Sequence, residues 1–408
     1  MRILLAHTFY KQPGGEDRVF EAESALLRRY GHEVVEYRAY NRQIDDMSPA
    51  EAAAKTIWNR EAYSRLSGIL ERERPDICHF HNTFPLMSPS ALFAVKAKAI
   101  PVVATLHNYR LLCPAATFLR GGRVCEACLP SVFPWRAVVH GCYRASRPAS
   151  AVTALMLGSH RLLRTWTRMV DVYVTVTRFA RDQFVRGGLP PGKIVVKPNF
   201  VTEDAGPCCR REDFALYVGR LSPEKGIATL LAAWRRLAIP MPLKIAGDGP
   251  LASTVAAAAA GDSRIEWLGA LAPDRVAACM KRAYLLVFPS IWYEGLPLTI
   301  IEAQASGLPV VASRIGSLVE LIDHESTGLH FLSGDAQDLA RSLTWAWSNR
   351  GQVGEMGLRA RRLYRERYTP ESNYRQLMDI YNRASRAAVV RAPTGSARPA
   401  RSYTFGSH

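Results

Sequence analysis

The sequence predicts an α/β protein built from two doubly wound, parallel-sheet units in tandem. Short apolar runs alternate with amphipathic helical stretches from residue 2 onward, and the alternation restarts near residue 214. Between the two series, Pro, Gly and acidic residues cluster in "VVKPNFVTEDAGP", 195–207, which marks the boundary. The 408 residues exceed one ordinary core and suffice for two domains of about 180 residues each. With 48% hydrophobic and 22% charged residues the chain reads as globular.

"RILLAHTF" opens as a short apolar strand, and "YKQPGGED" is a Gly/Pro loop. "RVFEAESALLRRYG" is an amphipathic helix that stops at Gly31, and "HEVVEYRA" alternates as a strand. Further strands are "DICHFH" (76–81) and "IPVVATLH" (100–107). Apolar strands separated by helices imply a parallel sheet covered on both faces. In the second half, "FALYVGRL", "LKIAGDG", "RIEWLGA", "AYLLVFPS" and "LPVVAS" are strands, with helical segments between them. "YRERYTPESNYRQLMDIYNRASRAA" reads as a terminal helix, and the basic "RAPTGSARPARSYTFGSH" as a disordered tail. The resulting division is 1–200 for the first domain, 201–365 for the second, 366–388 for a helix returning toward the first, and 389–408 for the tail.

Lys plus Arg, 53, against Asp plus Glu, 36, leaves a net charge of +17. That balance favours anionic partners: nucleic acid, nucleotide phosphates or an acidic lipid surface. No apolar run approaches the roughly 18–20 residues that span a bilayer, and the N-terminal apolar stretch is short for a secretory signal. A cytoplasmic location is expected, and there eight cysteines argue against a disulfide scaffold.

The stretch "YEGLPLTIIEAQASGLPVV", 293–311, sets two carboxylates, Glu294 and Glu302, in an apolar run with seven residues between them. A helix starting near Pro297 and stopping at Gly307 puts Glu294 in the loop ahead of it and Glu302 in its second turn. The two positions are then roughly 12 Å apart along the axis, about the span from sugar to ribose in a nucleotide sugar. This loop follows a strand carboxyl end, where open α/β sheets bind ligands and a helix start offers free amides to a diphosphate. The alternative is a capping Glu294 and a solvated Glu302, since acidic first turns are common. "VGRLSPEKG", 218–226, adds Arg220 and Lys225 around a tight loop, a fork and a point charge suited to a leaving diphosphate. "AGDGP", 246–250, is another Gly turn at a strand end.

Taken in order, "GRLSPEKG", "IAGDGP", "WLGAL", "VFPSIWYEGLPLTIIEAQASGLPVVAS" and "GLHF" resemble the donor domain of family 4 retaining glycosyltransferases, the group 1 enzymes of GT-B architecture. The spaced glutamates match that family's E-x7-E element, and the likeness covers most of 214–335; the early "PGGED" loop and the "TLH" strand end fit more loosely. The resemblance implies two Rossmann-like domains facing a cleft and transfer from a nucleotide-sugar donor to a saccharide or lipid-linked saccharide acceptor, with no cofactor needed for the chemistry. It implies that Glu302 grips the ribose hydroxyls and that Glu294 faces the transferred sugar beside the amides of Gly295 and Leu296. Arg220 and Lys225 would neutralise the diphosphate, Gly15 would bring backbone NH groups to the same phosphates, and His107 would sit beside the anomeric centre or acceptor. Breaking the sugar–phosphate bond develops charge on the diphosphate and an oxocarbenium-like sugar, so prepositioned cations do most of the work. Glu294 then positions rather than attacks, and the departing phosphate helps deprotonate the acceptor. His79 and His81 in "CHFHN" compete with His107 for the histidine role, being also at a strand end.

Two features stand outside that likeness. Cys113, Cys125, Cys128 and Cys142 read C-x11-C-x2-C-x13-C, an insertion over 113–142 that fits a structural zinc site or four reduced thiols. Cys78, Cys208, Cys209 and Cys279 show no such pattern. "RASRPASAVTALMLGSHRLLRTWTRMVD" mixes Leu155, Met156, Leu162, Leu163, Trp166 and Met169 with Arg144, Arg147, Arg161, Arg164 and Arg168. That is either a helix lying on an anionic membrane or a core helix with a solvated face. The rival functions are a non-hydrolysing nucleotide-sugar epimerase and, from charge alone, a nucleic-acid-binding protein, which lacks the aromatic-interleaved basic clusters it would need. A nicotinamide dehydrogenase lacks its G-x-G-x-x-G turn after the first strand.

Overall fold

A computed structural model describes residues 1–389 apart from 13, 130, 205, 208 and 209. The tail from residue 390, with Cys208 and Cys209, lies outside the described residues. The chain divides into two compact units: one of Met1–Ala116, Glu126–Lys197 and Asn373 onward, the other of Thr117–Cys125 and Pro198–Ser372.

In the first unit six parallel strands, β1 (Arg2–Phe9), β2 (Glu33–Tyr40), β3 (Ile77–Asn82), β4 (Val102–Leu106), β7 (Val172–Thr175) and β8 (Ile194–Val196), run in the order β2-β1-β3-β4-β7-β8. Strands β5 (Leu119–Arg120) and β6 (Arg123–Val124) form a small antiparallel hairpin. In the second unit β9 (Ala215–Val218), β10 (Leu243–Ala246), β11 (Ile265–Gly269), β12 (Leu285–Phe288), β13 (Val310–Ser313) and β14 (Gly328–Phe331) run β11-β10-β9-β12-β13-β14, again parallel. Ile3, Leu4 and Leu5 of β1 and Leu285, Leu286 and Val287 of β12 are wholly buried, as strands covered on both faces must be. Each sheet reverses its strand order once, between β1 and β3 and between β9 and β12. Those are the points where doubly wound sheets leave a crevice at the strand carboxyl ends.

Two local features set the helices that matter for these crevices. Helix Gly15–Arg29 carries Phe20 and Leu27 into the core and stops at Gly31, whose φ of 78° and amide bond to Arg28 close the last turn. Helix Leu298–Ala305 starts from Pro297 and ends before Gly307, φ 63°, with Ile300, Ile301, Ala303 and Ala305 buried. The last helix, Pro370–Val389, buries Leu377, Met378, Ile380, Tyr381 and Ala384 in the same core as Ile3, Leu5 and Val103 of the first unit.

The segment 117–125 departs from the sequence reading, which kept the whole insertion 113–142 in the first domain. Its Phe118 is fully buried and packs edge-on against Tyr293, ring centroids 6.0 Å apart, so the hairpin belongs to the core of the second unit.

Candidate functional site

At the switch point of the second sheet the loops after β9 and β12 are stitched together. The amide of Ile291 donates to the carbonyl of Glu224 at 3.0 Å. Gly226 holds a φ of 73°, and a Cβ there would stand 1.8 Å from the carbonyl oxygen of Pro289. Only glycine allows so close an approach of two backbones. The result is to place Lys225 beside Glu294: Lys225 Nζ lies 2.7 Å from Glu294 Oε1, and over the rings of Trp292 and Phe288 at 5.3 and 5.8 Å. Ser290 Oγ and Trp292 Nε1 donate to the same oxygen at 2.6 and 2.7 Å. Glu294 is only 5% exposed, so it is neither a solvated loop residue nor a simple cap. A buried carboxylate needs this many donors to hold its charge.

Arg220 is exposed, and its guanidinium has no hydrogen-bond or ion-pair partner among the described residues. Its backbone carbonyl accepts from Tyr217 at 2.9 Å, which fixes the loop rather than the side chain. The amides of Gly295 and Leu296 likewise have no acceptor among the described residues. Glu302 is half-buried on the helix Leu298–Ala305. The structure therefore gathers Lys225, Glu294, Gly295 and Leu296 at one strand end, with a lysine paired to a carboxylate and two amides without an acceptor among the described residues. Ser290 and Trp292 were missed in the sequence; the signal was their place between strand end and Glu294, on the side where a carboxylate needs donors.

The first unit's switch point carries a different group. His107 follows β4, and its Nε2 lies 3.0 Å from Nδ1 of His81 on β3, the rings stacked at 5.2 Å. His79 bridges the hydroxyls of Tyr381 and Thr105 at 3.0 and 2.7 Å. Below them Glu23 and Lys197 form an ion pair in which each side chain is 1% exposed. Burial pushes His79 down to about 4. Burial, followed by the neighbouring imidazoles and Lys197, holds His81 and His107 well below the usual imidazole range. All three rings are thus neutral at pH 7.

Gly15 is the first residue of its helix, and a Cβ there would meet nothing within 4 Å, so packing does not itself demand glycine. Beside it Asp17 accepts from the Gly14 amide at 2.8 Å and lies 2.7 Å from His7 Nε2. Glu16 accepts from Asn108 and Tyr10 at 2.7 and 3.0 Å, yet burial outweighs these bonds and raises its carboxyl above the ordinary range. Glu23 and Lys197 were missed in the sequence; the signals were an acidic residue on the apolar stripe of Phe20 and Leu27, and a cation directly after "IVV".

For the four cysteines the sequence leaves a structural zinc site and reduced thiols open. Among the described residues, no three of the thiols of Cys113, Cys125, Cys128 and Cys142 lie within 4.8 Å of one another. The chain changes unit between Cys125 and Glu126, inside the C-x2-C knuckle, and Cys113 and Cys128 are buried. The ligand atoms that do come within 4.8 Å are those of Glu23, His79 and His81. Lys197 already occupies Glu23 there, and Tyr381 the Nδ1 of His79.

Comparison with known proteins accords with this geometry. Residues 13–205 match the family described as Glycosyltransferase Family 4, and residues 210–363 match Glycosyl transferases group 1. D-rhamnosyltransferase WbpZ of Pseudomonas aeruginosa is 31% identical over 160 residues, which is 38% of this chain and 42% of that protein. The uncharacterized glycosyltransferase MJ1178 of Methanocaldococcus jannaschii is 24% identical over 370 residues, 88% of this chain and 92% of that one. The crystal structure of Anabaena Alr3699/HepE in complex with UDP-glucose superposes with a TM-score of 0.65 at 16% identity, covering 92% of this chain and 98% of the other. With two consecutive matches spanning both units, a strand-end crevice in each sheet and the GT-B fold shared with solved structures, the chain belongs to the family 4, group 1 glycosyltransferases.

Proposed function

We propose that this glycosyltransferase moves a hexose from a nucleotide sugar, with retention of anomeric configuration, to a saccharide or lipid-linked saccharide in surface-polysaccharide assembly. The observation that carries the reading is the Lys225–Glu294 pair at the second sheet's switch point, beside two unengaged amides. The ammonium and the exposed guanidinium of Arg220 take up charge on the departing diphosphate, and the amides of Gly295 and Leu296 add dipoles to the same anion. Glu294, fixed by Ser290 and Trp292, accepts from a hydroxyl of the transferred sugar, and Glu302 from the ribose. His107, neutral, meets a substrate hydroxyl on the acceptor side. The balance is simple: the sugar–phosphate bond breaks, the new glycosidic bond forms on the same face, and the acceptor proton passes to the diphosphate.

The HepE complex makes UDP-glucose the first donor to try. A panel of nucleotide sugars is screened by thermal shift, and the product of the stabilising donor with a lipid-extract acceptor is analysed by NMR for anomeric configuration. A retained anomer is expected. An inverted anomer, or interconversion of the donor sugar with no acceptor present, overturns the reading, the latter in favour of an epimerase.

No helix among the described residues is long and apolar enough to cross a membrane. We propose reversible attachment through helix Arg147–Leu162 and the turn after it, where Leu155, Leu162 and Leu163 are 49, 76 and 59% exposed, whereas Met156 and Trp166 of the same stretch are core residues. Arg161 does not share in it, since its guanidinium donates to the carbonyl of Leu111 at 2.7 Å and to that of Val132 at 3.2 Å. Arg144, Arg147, Arg164 and Arg168 are exposed. At about 1 kcal/mol per basic side chain near an anionic surface, changing these four to Gln lowers binding to phosphatidylglycerol vesicles more than tenfold. Unchanged binding in a sedimentation assay refutes this attachment.

A further inference from the structure

We infer that Glu23, His81 and His107 form a proton-orienting relay, in which the charge of Glu23, paired with Lys197, sets the tautomer of His81 and the His81–His107 hydrogen bond then fixes His107 with Nδ1 unprotonated, so that this nitrogen accepts from a substrate hydroxyl. The inference deepens the reading of His107 given above and rests on it.

The direction of the relay follows from what each atom is able to do. Lys197 Nζ contacts Glu23 Oε1, and an ammonium donates, so the carboxylate is its counter-ion. The other oxygen, Oε2, stands 3.4 Å from His81 Nε2, an ion-pair distance outside hydrogen-bond geometry, and neither atom has any hydrogen-bond partner among the described residues. A carboxylate only accepts, so the proton of His81 belongs on Nε2; the other tautomer would bury two lone pairs face to face. His81 Nδ1 is then a lone pair. It lies 3.0 Å from His107 Nε2, which must carry the proton that joins them. One proton per neutral ring leaves His107 Nδ1 bare. His79 does not enter the chain: both its nitrogens face hydroxyls, which donate or accept as required, and its Nδ1 is 4.0 Å from Glu23.

Glu23 and His81 are therefore positioning residues, set two and one steps behind the group that meets substrate. The arrangement also accounts for a lysine and a glutamate buried to 1% exposure in a place where an apolar pair would pack equally well.

The tautomers are read directly in the full-length wild-type protein, labelled with ring-¹⁵N histidine, by long-range ¹H–¹⁵N correlation at pH 7, with signals assigned by single His→Gln variants. Expected are Nε2–H forms for both His81 and His107; an Nδ1–H form of His107 overturns the relay. For function, Glu23→Gln combined with Lys197→Met keeps the pair neutral and folded, and the new carboxamide donates to His81 and reverses every link. A fall in kcat of roughly 10²-fold with the donor KM unchanged is expected, together with a switch of His107 to Nδ1–H. Wild-type kcat with the original tautomers in this variant sinks the relay. His107→Ala separates the two levels: a wild-type rate there removes His107 from substrate contact, whatever the NMR shows. Stoichiometric metal in the purified protein, lost in His81→Gln, would show instead that Glu23, His79 and His81 hold a cation, and would also overturn the relay.

Discussion

Lys225→Ala slows turnover at saturating donor by roughly 10²–10³-fold, because it removes the cation nearest the anion that develops as the sugar leaves. The structure makes the effect specific. Lys225 lies 2.7 Å from Glu294 and is held over Trp292 by a loop whose path depends on Gly226, so its ammonium is fixed where the exposed guanidinium of Arg220 is not. Glu294→Gln gives a loss of similar size for a different reason. Its Oε1 collects donors from Lys225, Ser290 and Trp292; a carboxamide oxygen in that place still accepts from them but carries no charge opposite Lys225, and its NH2 puts a donor where Oε2 was an acceptor. Both variants keep their secondary structure, since Lys225 reaches solvent and Ser290 and Trp292 still bond a neutral amide oxygen. Initial rates over a donor series, with circular dichroism as the fold control, are the measurement. Wild-type rates in either variant would remove the pair from the chemistry.

Acid is the second large effect, and it acts on the first unit. In the folded protein His79 titrates near 4 instead of its ordinary 6.5, because burial penalises the charged ring. Between those values the unfolded chain binds more protons than the folded one, so stability is complete above pH 6.5 and lost progressively as pH falls to about 4. At about 1.4 kcal/mol per unit, His79 alone contributes a loss of about 2 kcal/mol by pH 5. His81 and His107, depressed by burial and by each other's neighbours, act in the same sense. Glu16 opposes them: its raised carboxyl binds a proton more readily when folded, so its contribution falls as pH rises above 4.5. Three imidazoles outweigh one carboxyl that is partly compensated by Asn108 and Tyr10. Hydrogen exchange of β1, β3 and β4, corrected for intrinsic rates, should show protection falling by more than tenfold between pH 7 and 5. Equal protection at both values would mean that the rings are not held neutral.

The donor side of the site was legible because its elements are short and self-contained. A strand, a Gly-bounded loop and a helix start occupy 215–227 and again 285–305, and each displays its chemistry within a dozen residues. The histidine centre was only half legible. His81 and His107 stand at strand ends and could be named, but the ion pair buried beside them joins Glu23 and Lys197, 174 residues apart. The cysteines show the converse failure. Their spacing suits a metal knuckle, yet the chain leaves one unit for the other between Cys125 and Glu126, and buried Phe118 takes the hairpin with it. The five arginines of 144–168 looked alike in sequence, and only packing assigned Arg161 to the carbonyls of Leu111 and Val132.

By itself the sequence determined that this is a twofold series of buried parallel strands, where the strands end, and which loops carry charge. Those properties arise from side-chain periodicity and backbone chemistry acting over a few residues. The tertiary structure alone supplied the order of the strands, the pairing of Lys225 with Glu294 and of Lys197 with Glu23, and the contact between His81 and His107. A charge taken out of water must find its partner wherever the fold brings one, and no local pattern records that distance.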